Sequence, residues 1–271
     1  MSAVKSSLKA IVPPALWHWA SDARDGLSRL TMLPSATLHP LRRQSIARLS
    51  HYQNIHQGQR CFIIGNGPSL KNMDLSPLKN EFTFGMNRIY LLYPKMGFPT
   101  TYYVSINSLV IEQCADDVEK LPVPKFLSWR SQKLIRMTEN TMFLHTTYTG
   151  KKFAKDARKR LWEGATVTYV ALQLAYFMGF RQVILIGVDH SFASKGKPNT
   201  TIVSQGDDPD HFNPGYFGKG FRWQLPDLET SEIAYRLARK TYEENEREVL
   251  DATVGGKLTV FPKVDYQTLF R

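Results

Sequence analysis

The chain has 271 residues, enough for one large domain or two small ones, and its 42% hydrophobic and 12% aromatic content excludes a disordered or collagen-like polymer. Its 35 Lys and Arg against 24 Asp and Glu leave a net charge of +11, which favours acidic partners (phosphates, nucleotides, nucleic acid or anionic lipid) without choosing a fold. Two cysteines, Cys61 and Cys114, cannot make a disulfide framework and suit a reducing compartment.

Residues 1–58 read as a basic N-terminal arm. Lys5, Lys9, Arg24, Arg29, Arg42, Arg43 and Arg48 stand against Asp22 and Asp25, and Pro13, Pro14, Pro34 and Pro40 cut the segment into short helical pieces. The stretch Ala10–Trp17 imitates a signal peptide, but prolines and His18 interrupt it and no small-residue cleavage site follows, so it reads as uncleaved. Such an arm suits an anionic membrane surface, and equally a solvated arm packed on its own domain or on a second subunit of a homo-oligomer. No segment reaches the ~18 apolar residues of a membrane span. The nearest, Val167 to Phe180, carries Gln173. The expected location is the cytoplasm, at most peripheral at the inner membrane surface.

Residues 59–271 alternate short apolar runs with helical stretches. The predicted strands are Cys61–Ile64, Phe82–Met86, Tyr102–Ile106, Lys125–Ser128, Met142–His145, Val183–Val188 and Leu258–Phe261. The strongest helix is Thr166–Met178, stopped by Gly179, and another starts near Thr230 or Ser231 with Ile233, Leu237, Ala238 and Tyr242 as its inward stripe. The pattern predicts a Rossmann-like α/β domain, a mostly parallel sheet with helices on both faces, and a lid-like loop near 190–226.

Ligands of open α/β sheets bind outside the carboxyl ends of the strands. Gly65-Asn66-Gly67-Pro68-Ser69 follows the first predicted strand, Asn87 the second, Asn107 the third, and Asp189-His190 the Val183–Val188 strand. Carboxamides donate and accept without charge, which suits nucleobase edges and sugar hydroxyls, although asparagine is also a good turn residue. Gly65 and Gly67 allow close approach of backbone to a ligand, and Ser69 can cap a following helix whose N–H groups would hold phosphate. The turn is neither a dinucleotide fingerprint nor a Walker loop. Thr166, at the start of the strongest helix, joins the nucleotide-binding candidates. Asp208-Pro209-Asp210 has the spacing of a metal-binding pair but reads as a solvated turn, so no metal site is expected. The basic run Lys151–Arg160 reads as a solvated helix face. His211 opens an aromatic, glycine-rich loop in which it is the one group able to take a proton near neutral pH, and Tyr216 could reach a leaving phosphate. His190 is the second choice for the base.

The segment Ile63-Ile64-Gly65-Asn66-Gly67-Pro68-Ser69-Leu70, the later Asn87, and the block Thr166 to Asp189 ending Gly187-Val188-Asp189 resemble two related groups. One is the bacterial sialyltransferases; the other is the MptE-like group, named after a pterin diphosphokinase and rich in surface-polysaccharide glycosyltransferases. The resemblance covers roughly residues 60 to 250. It implies that Asn66, Gly67, Ser69 and Asn87 hold a nucleotide, that a loop histidine is the general base, and that no metal is needed. Ser191 stands where the sialyltransferases carry a tyrosine, Gly164 where they carry an arginine, and His211 lies farther from the following helix than their base.

The resulting expectation is a glycosyltransferase with a nucleotide-sugar donor, a sialic-acid-like CMP-sugar, and a surface glycan or lipid-linked acceptor. His211 would be the base, and Asp189 would orient hydroxyls. No cofactor and no nucleic acid are expected. The alternatives are ATP-dependent diphosphotransfer to a pterin-like alcohol, which requires Mg²⁺, and non-catalytic polyanion binding.

Overall fold

The computed structural model describes Ala23, Gly26, Leu27 and residues 30–271; the expectations placed on Lys5, Lys9, Ala10–Trp17, Arg24 and Arg29 lie outside the described residues. Seven strands form one sheet: β1 (Arg60–Ile64), β2 (Phe82–Met86), β3 (Tyr102–Ser105), β4 (Lys125–Ser128), β5 (Thr141–Leu144), β8 (Gln182–Ile186) and β11 (Glu248–Asp251). Their order is β11-β8-β1-β2-β3-β4-β5, and every neighbouring pair is parallel. Two small ribbons lie apart, β6 (Thr146–Thr147) with β7 (Leu161–Trp162) and β9 (Thr201–Val203) with β10 (Arg222–Gln224). The helices are α1 (Leu33–Leu38), α2 (Pro40–Ser50), α3 (Tyr93–Met96), α4 (Ser108–Gln113), α5 (Ala115–Lys120), α6 (Val167–Phe177) and α7 (Leu228–Glu243).

Strand side chains alternate faces, so each strand feeds two cores. Cys61 and Ile63 join Val183, Leu185 and the inward residues of α6 and α7. Phe62 and Ile64 join Ile184, Ile186, Leu70, Val110 and Ile111 on the other face. Each such apolar side chain, fully buried, is worth roughly 1.5–3 kcal/mol. Burial on both faces explains why the central strands β1 and β8 read as continuous apolar runs. Gln173, the polar interruption in α6, is buried and fully used: Oε1 accepts from Ala154 N at 3.0 Å, and Nε2 donates to Trp162 O at 2.9 Å. Among the described residues no helix is long and apolar enough to cross a membrane.

Two expectations need correction. Leu258–Phe261 forms no strand; Leu258, Val260 and Phe261 pack into the core, while the edge beside β8 belongs to Glu248–Asp251. The run Lys151–Arg160 is irregular rather than helical, held by Gln173, by the Asp156–Arg158 pair at 2.9 Å and by buried Ala154 and Ala157. Of the N-terminal arm, the described part packs on its own domain, one of the alternatives its composition allowed, and α2 covers the outer edge of β5. Ser45 Oγ accepts from Phe143 N at 3.0 Å, Arg42 Nη1 donates to Phe143 O at 2.9 Å, and Arg48 Nη1 donates to Thr141 O at 3.1 Å. Arg42 also donates to the carbonyls of Ala36 and Arg158, and burial drives its guanidinium pKa down to about 10. An edge strand is an open template for another chain, and here side chains of α2 occupy it.

Candidate active site

The strand order reverses between β1 and β8. That is where an open parallel sheet leaves a crevice at its carboxyl edge. The turns leaving these strands are laced together: Gly65 N donates to Ile186 O at 2.7 Å and Gly67 N to Gly187 O at 2.9 Å. A Cβ on Gly65 would overlap the Gly187 carbonyl, and one on Gly67 would overlap the Asp189 carboxylate. The close approach anticipated for a ligand is therefore made by β8's own turn. No α-helix follows, either. Pro68–Asn72 is a single 3₁₀ segment, and the Ser69 N–H donates to Asp189 Oδ1 at 3.0 Å while its hydroxyl donates to Oδ2 at 2.7 Å. Ser69 thus anchors Asp189 instead of capping a phosphate-binding helix. Burial pushes the Asp189 carboxyl above its ordinary pKa, and the nearby Asp251 carboxylate adds to this against the opposing Ser69 bonds.

The three asparagines part company. Asn107 caps α4, accepting from Leu109 N at 2.9 Å. Asn66 donates through Nδ2 to Met86 O at 3.2 Å, and its Oδ1 is buried with no hydrogen-bond partner. Asn87, next along from Met86, sits at φ 51° and accepts from Ser105 Oγ at 3.0 Å. His190, at φ 54°, is left-handed too. Non-glycine residues held there cost on the order of 1–3 kcal/mol and gather at functional sites. Pro68 begins the 3₁₀ segment, and Thr166 caps α6, accepting from Thr168 N at 3.3 Å.

The 190–226 segment covers this edge. Phe212 N donates to Asn66 O at 2.9 Å, and Arg88 Nη1 donates to Gly215 O at 2.9 Å and to Tyr216 O. Gln113 exchanges bonds with the Arg222 backbone, fastening β10 to α4. The solvated-turn reading of Asp208-Pro209-Asp210 is wrong, because both carboxylates are buried. Asp208 accepts from His211 Nδ1 at 2.8 Å, from Phe217 N at 3.0 Å and from Asp210 N at 2.8 Å. Asp210 accepts from Ala193 N and Ser194 N. Tyr216 is fully buried and cannot face a leaving phosphate as expected. Its ring stacks on His211 at 4.0 Å and its hydroxyl accepts from Arg88 N at 3.3 Å. His190 turns toward α7, with Nε2 3.2 Å from Glu232 Oε1, while its neighbour Asp189 turns toward Ser69.

Two features elsewhere weigh less. Among the described residues no three His, Cys, Asp or Glu side chains gather so as to hold a metal ion. A groove of about 360 Å³ along α7 is basic, but Arg239 pairs with Glu243 and Arg236 with Glu232, ordinary i,i+4 pairs of a solvated helix.

A family model described as 6-hydroxymethylpterin diphosphokinase MptE-like matches residues 37–195. No curated protein matches the chain. Among solved structures, that of the MAf glycosyltransferase from Magnetospirillum magneticum AMB-1 is similar, with a TM-score of 0.50 and 16% identity. The likeness covers 84% of this chain and 39% of that one, so this chain spans about two fifths of its length. At that identity the likeness speaks for the fold, the Rossmann-like arrangement expected from the strand pattern.

Proposed function

Because the chain belongs to the 6-hydroxymethylpterin diphosphokinase MptE-like family, we propose that it is a transferase, and specifically a glycosyltransferase that moves a sugar from a nucleotide-sugar to a glycan or lipid-linked acceptor. A sialic-acid-like CMP-sugar is the donor we favour. The observation that carries this reading is the company His211 keeps. It is fastened through Phe212 to Asn66, whose buried Oδ1 has no donor, on the crevice where the strand order reverses. An unmet buried acceptor costs ~1–3 kcal/mol, and a nucleobase amino group or ribose hydroxyl would satisfy it. In the reaction the acceptor hydroxyl oxygen bonds to the anomeric carbon, the carbon–phosphate oxygen bond breaks, and the nucleotide leaves with the electron pair. His211 takes the hydroxyl proton, general-base help worth roughly 10²–10⁴ in rate. Asn87 would orient donor hydroxyls. We place the reaction in the cytoplasm, peripheral at most at a membrane.

The family description favours one other reading, diphosphotransfer from ATP to a pterin-like alcohol. That chemistry uses Mg²⁺ held by carboxylates. The residues present do not fit it: Asp208 and Asp210 are occupied by backbone N–H groups and His211, and Asp189 by Ser69.

Thermal melting against CMP, CDP, UDP, GDP, ADP and ATP, with Mg²⁺ or EDTA, separates the two. A ligand at roughly 100 times its Kd adds ~2.7 kcal/mol. Stabilisation by a cytidine nucleotide in EDTA is expected. Stabilisation by ATP alone, and only with Mg²⁺, would replace this reading with the other.

A further inference from the structure

We infer that Asp208 is the positioning residue for His211, fixing the imidazole so that Nδ1 carries the proton and Nε2 presents the lone pair. The inference rests on the proposed role of His211, but its first test does not. Asp208 lies three residues before His211 with its side chain 3% exposed, and its Oδ2 lies 2.8 Å from His211 Nδ1. Burial alone would push this carboxyl up. The bonds from His211 and from the Asp210 and Phe217 amides outweigh that and hold it below the ordinary carboxylate range. An ionised carboxylate can only accept, so in the neutral imidazole the shared proton belongs to Nδ1. Nε2 is then the basic nitrogen. A base oriented by a third group is the logic of the serine hydrolase triad, here with a sugar hydroxyl as the nucleophile.

The rest of the loop holds the pair still. Tyr216 lies flat against the imidazole at 4.0 Å and 8°, and Phe217 meets it edge-on at 4.8 Å. The same Asp208 oxygen takes Phe217 N, and Asp208 N donates to Pro214 O at 2.8 Å, so both sides of the loop close on this residue. The competing pair, His190 with Glu232, is held less firmly. Glu232 is 35% exposed and shares its carboxylate with Arg236 at 2.6 Å. There the bonded nitrogen is Nε2, so that pair presents the opposite ring atom.

Nitrogen-15 shifts of the His211 ring, recorded on the wild-type protein above the imidazole titration, read the tautomer directly and need no activity. Protonated Nδ1 with bare Nε2 is expected; protonated Nε2 overturns the inference. The second arm uses turnover. His211→Ala should lose roughly 10²–10⁴-fold, and Asp208→Asn should lose at least about tenfold in kcat with nucleotide affinity changed no more than a few-fold. The double variant should be no slower than His211→Ala, because residues acting as a unit are not additive. An Asp208→Asn loss that multiplies the His211→Ala loss would show a merely structural role and overturn the inference. Undiminished turnover in His211→Ala would sink the catalytic reading of His211 and the positioning role with it, even with the expected tautomer.

Discussion

A single methyl group at position 67 asks how the crevice is built. Since a Cβ there overlaps the Asp189 carboxylate, Gly67→Ala should drive Asp189 off Ser69 and leave a backbone N–H without its acceptor. A loss of about 1–3 kcal/mol in denaturant unfolding is expected; an unchanged midpoint would mean that Asp189 swings aside freely. The two carboxyls, Asp208 buried and Asp189 half-buried, also give opposite pH signatures. Asp208 titrates below its unfolded value, so its contribution is complete above about pH 4 and lost as the pH falls through the folded value. Asp189 titrates above its unfolded value, so its contribution is present in acid and is lost as the pH rises through that raised value. Amide exchange of Phe217 N–H should therefore lose protection only as acidification passes through that lowered folded value, and a loss already complete between about pH 6 and pH 4 would refute the Asp208 assignment. Asn66 and Asn87 drew notice in the sequence by their places, Asn87 immediately after a strand and Asn66 one residue beyond the end of another. Asp208 did not, because Asp-Pro-Asp reads as a turn and its amide partner, Phe217, lies nine residues away.

At the scale of elements, α2 and β5 form a pair that sequence pattern hides. A basic residue in a basic, proline-broken arm reads as solvated, yet Arg42 is 1% exposed and gives its donors to three backbone carbonyls. Arg42→Leu strands those carbonyls and should cost on the order of 3 kcal/mol, read as a lowered Tm; a shift within error would mean that water replaces the guanidinium. Strands β1 and β8 were readable because burial on both faces gives each a run of four apolar residues, and β2 to β5 because each carries a shorter apolar stretch. β11 was not, because its sequence Glu-Val-Leu-Asp follows α7 without a break in polarity, while the more apolar Leu258–Phe261 spends its side chains on packing and its backbone outside the ladder.

For the whole molecule, the domain begins well before the sheet does. A protein starting at Gly58 lacks α1 and α2, so Leu49 leaves the core and the Phe143 N–H and carbonyl of the edge strand lose their partners. Exposed parallel edges recruit other chains. The truncated protein should therefore aggregate or melt without cooperativity, whereas a monomeric, sharply melting product would show that the helices are dispensable. Any membrane-binding role for the basic arm has to be tested on a protein that keeps residue 33 onward.

The strand order also has a consequence in time. β1 is the inner neighbour of β8, and the Ser69–Asp189 contact joins residues 120 apart in sequence. At about 5–20 residues per second, a ribosome that has finished Ser69 needs roughly 6–24 s more to reach Asp189. During that interval β2 to β5 are made and can assemble on one flank of β1 while its other flank stays bare. The nascent chain therefore carries its most apolar strand as an open edge until β8 emerges, and the two rims of the crevice first meet only after that.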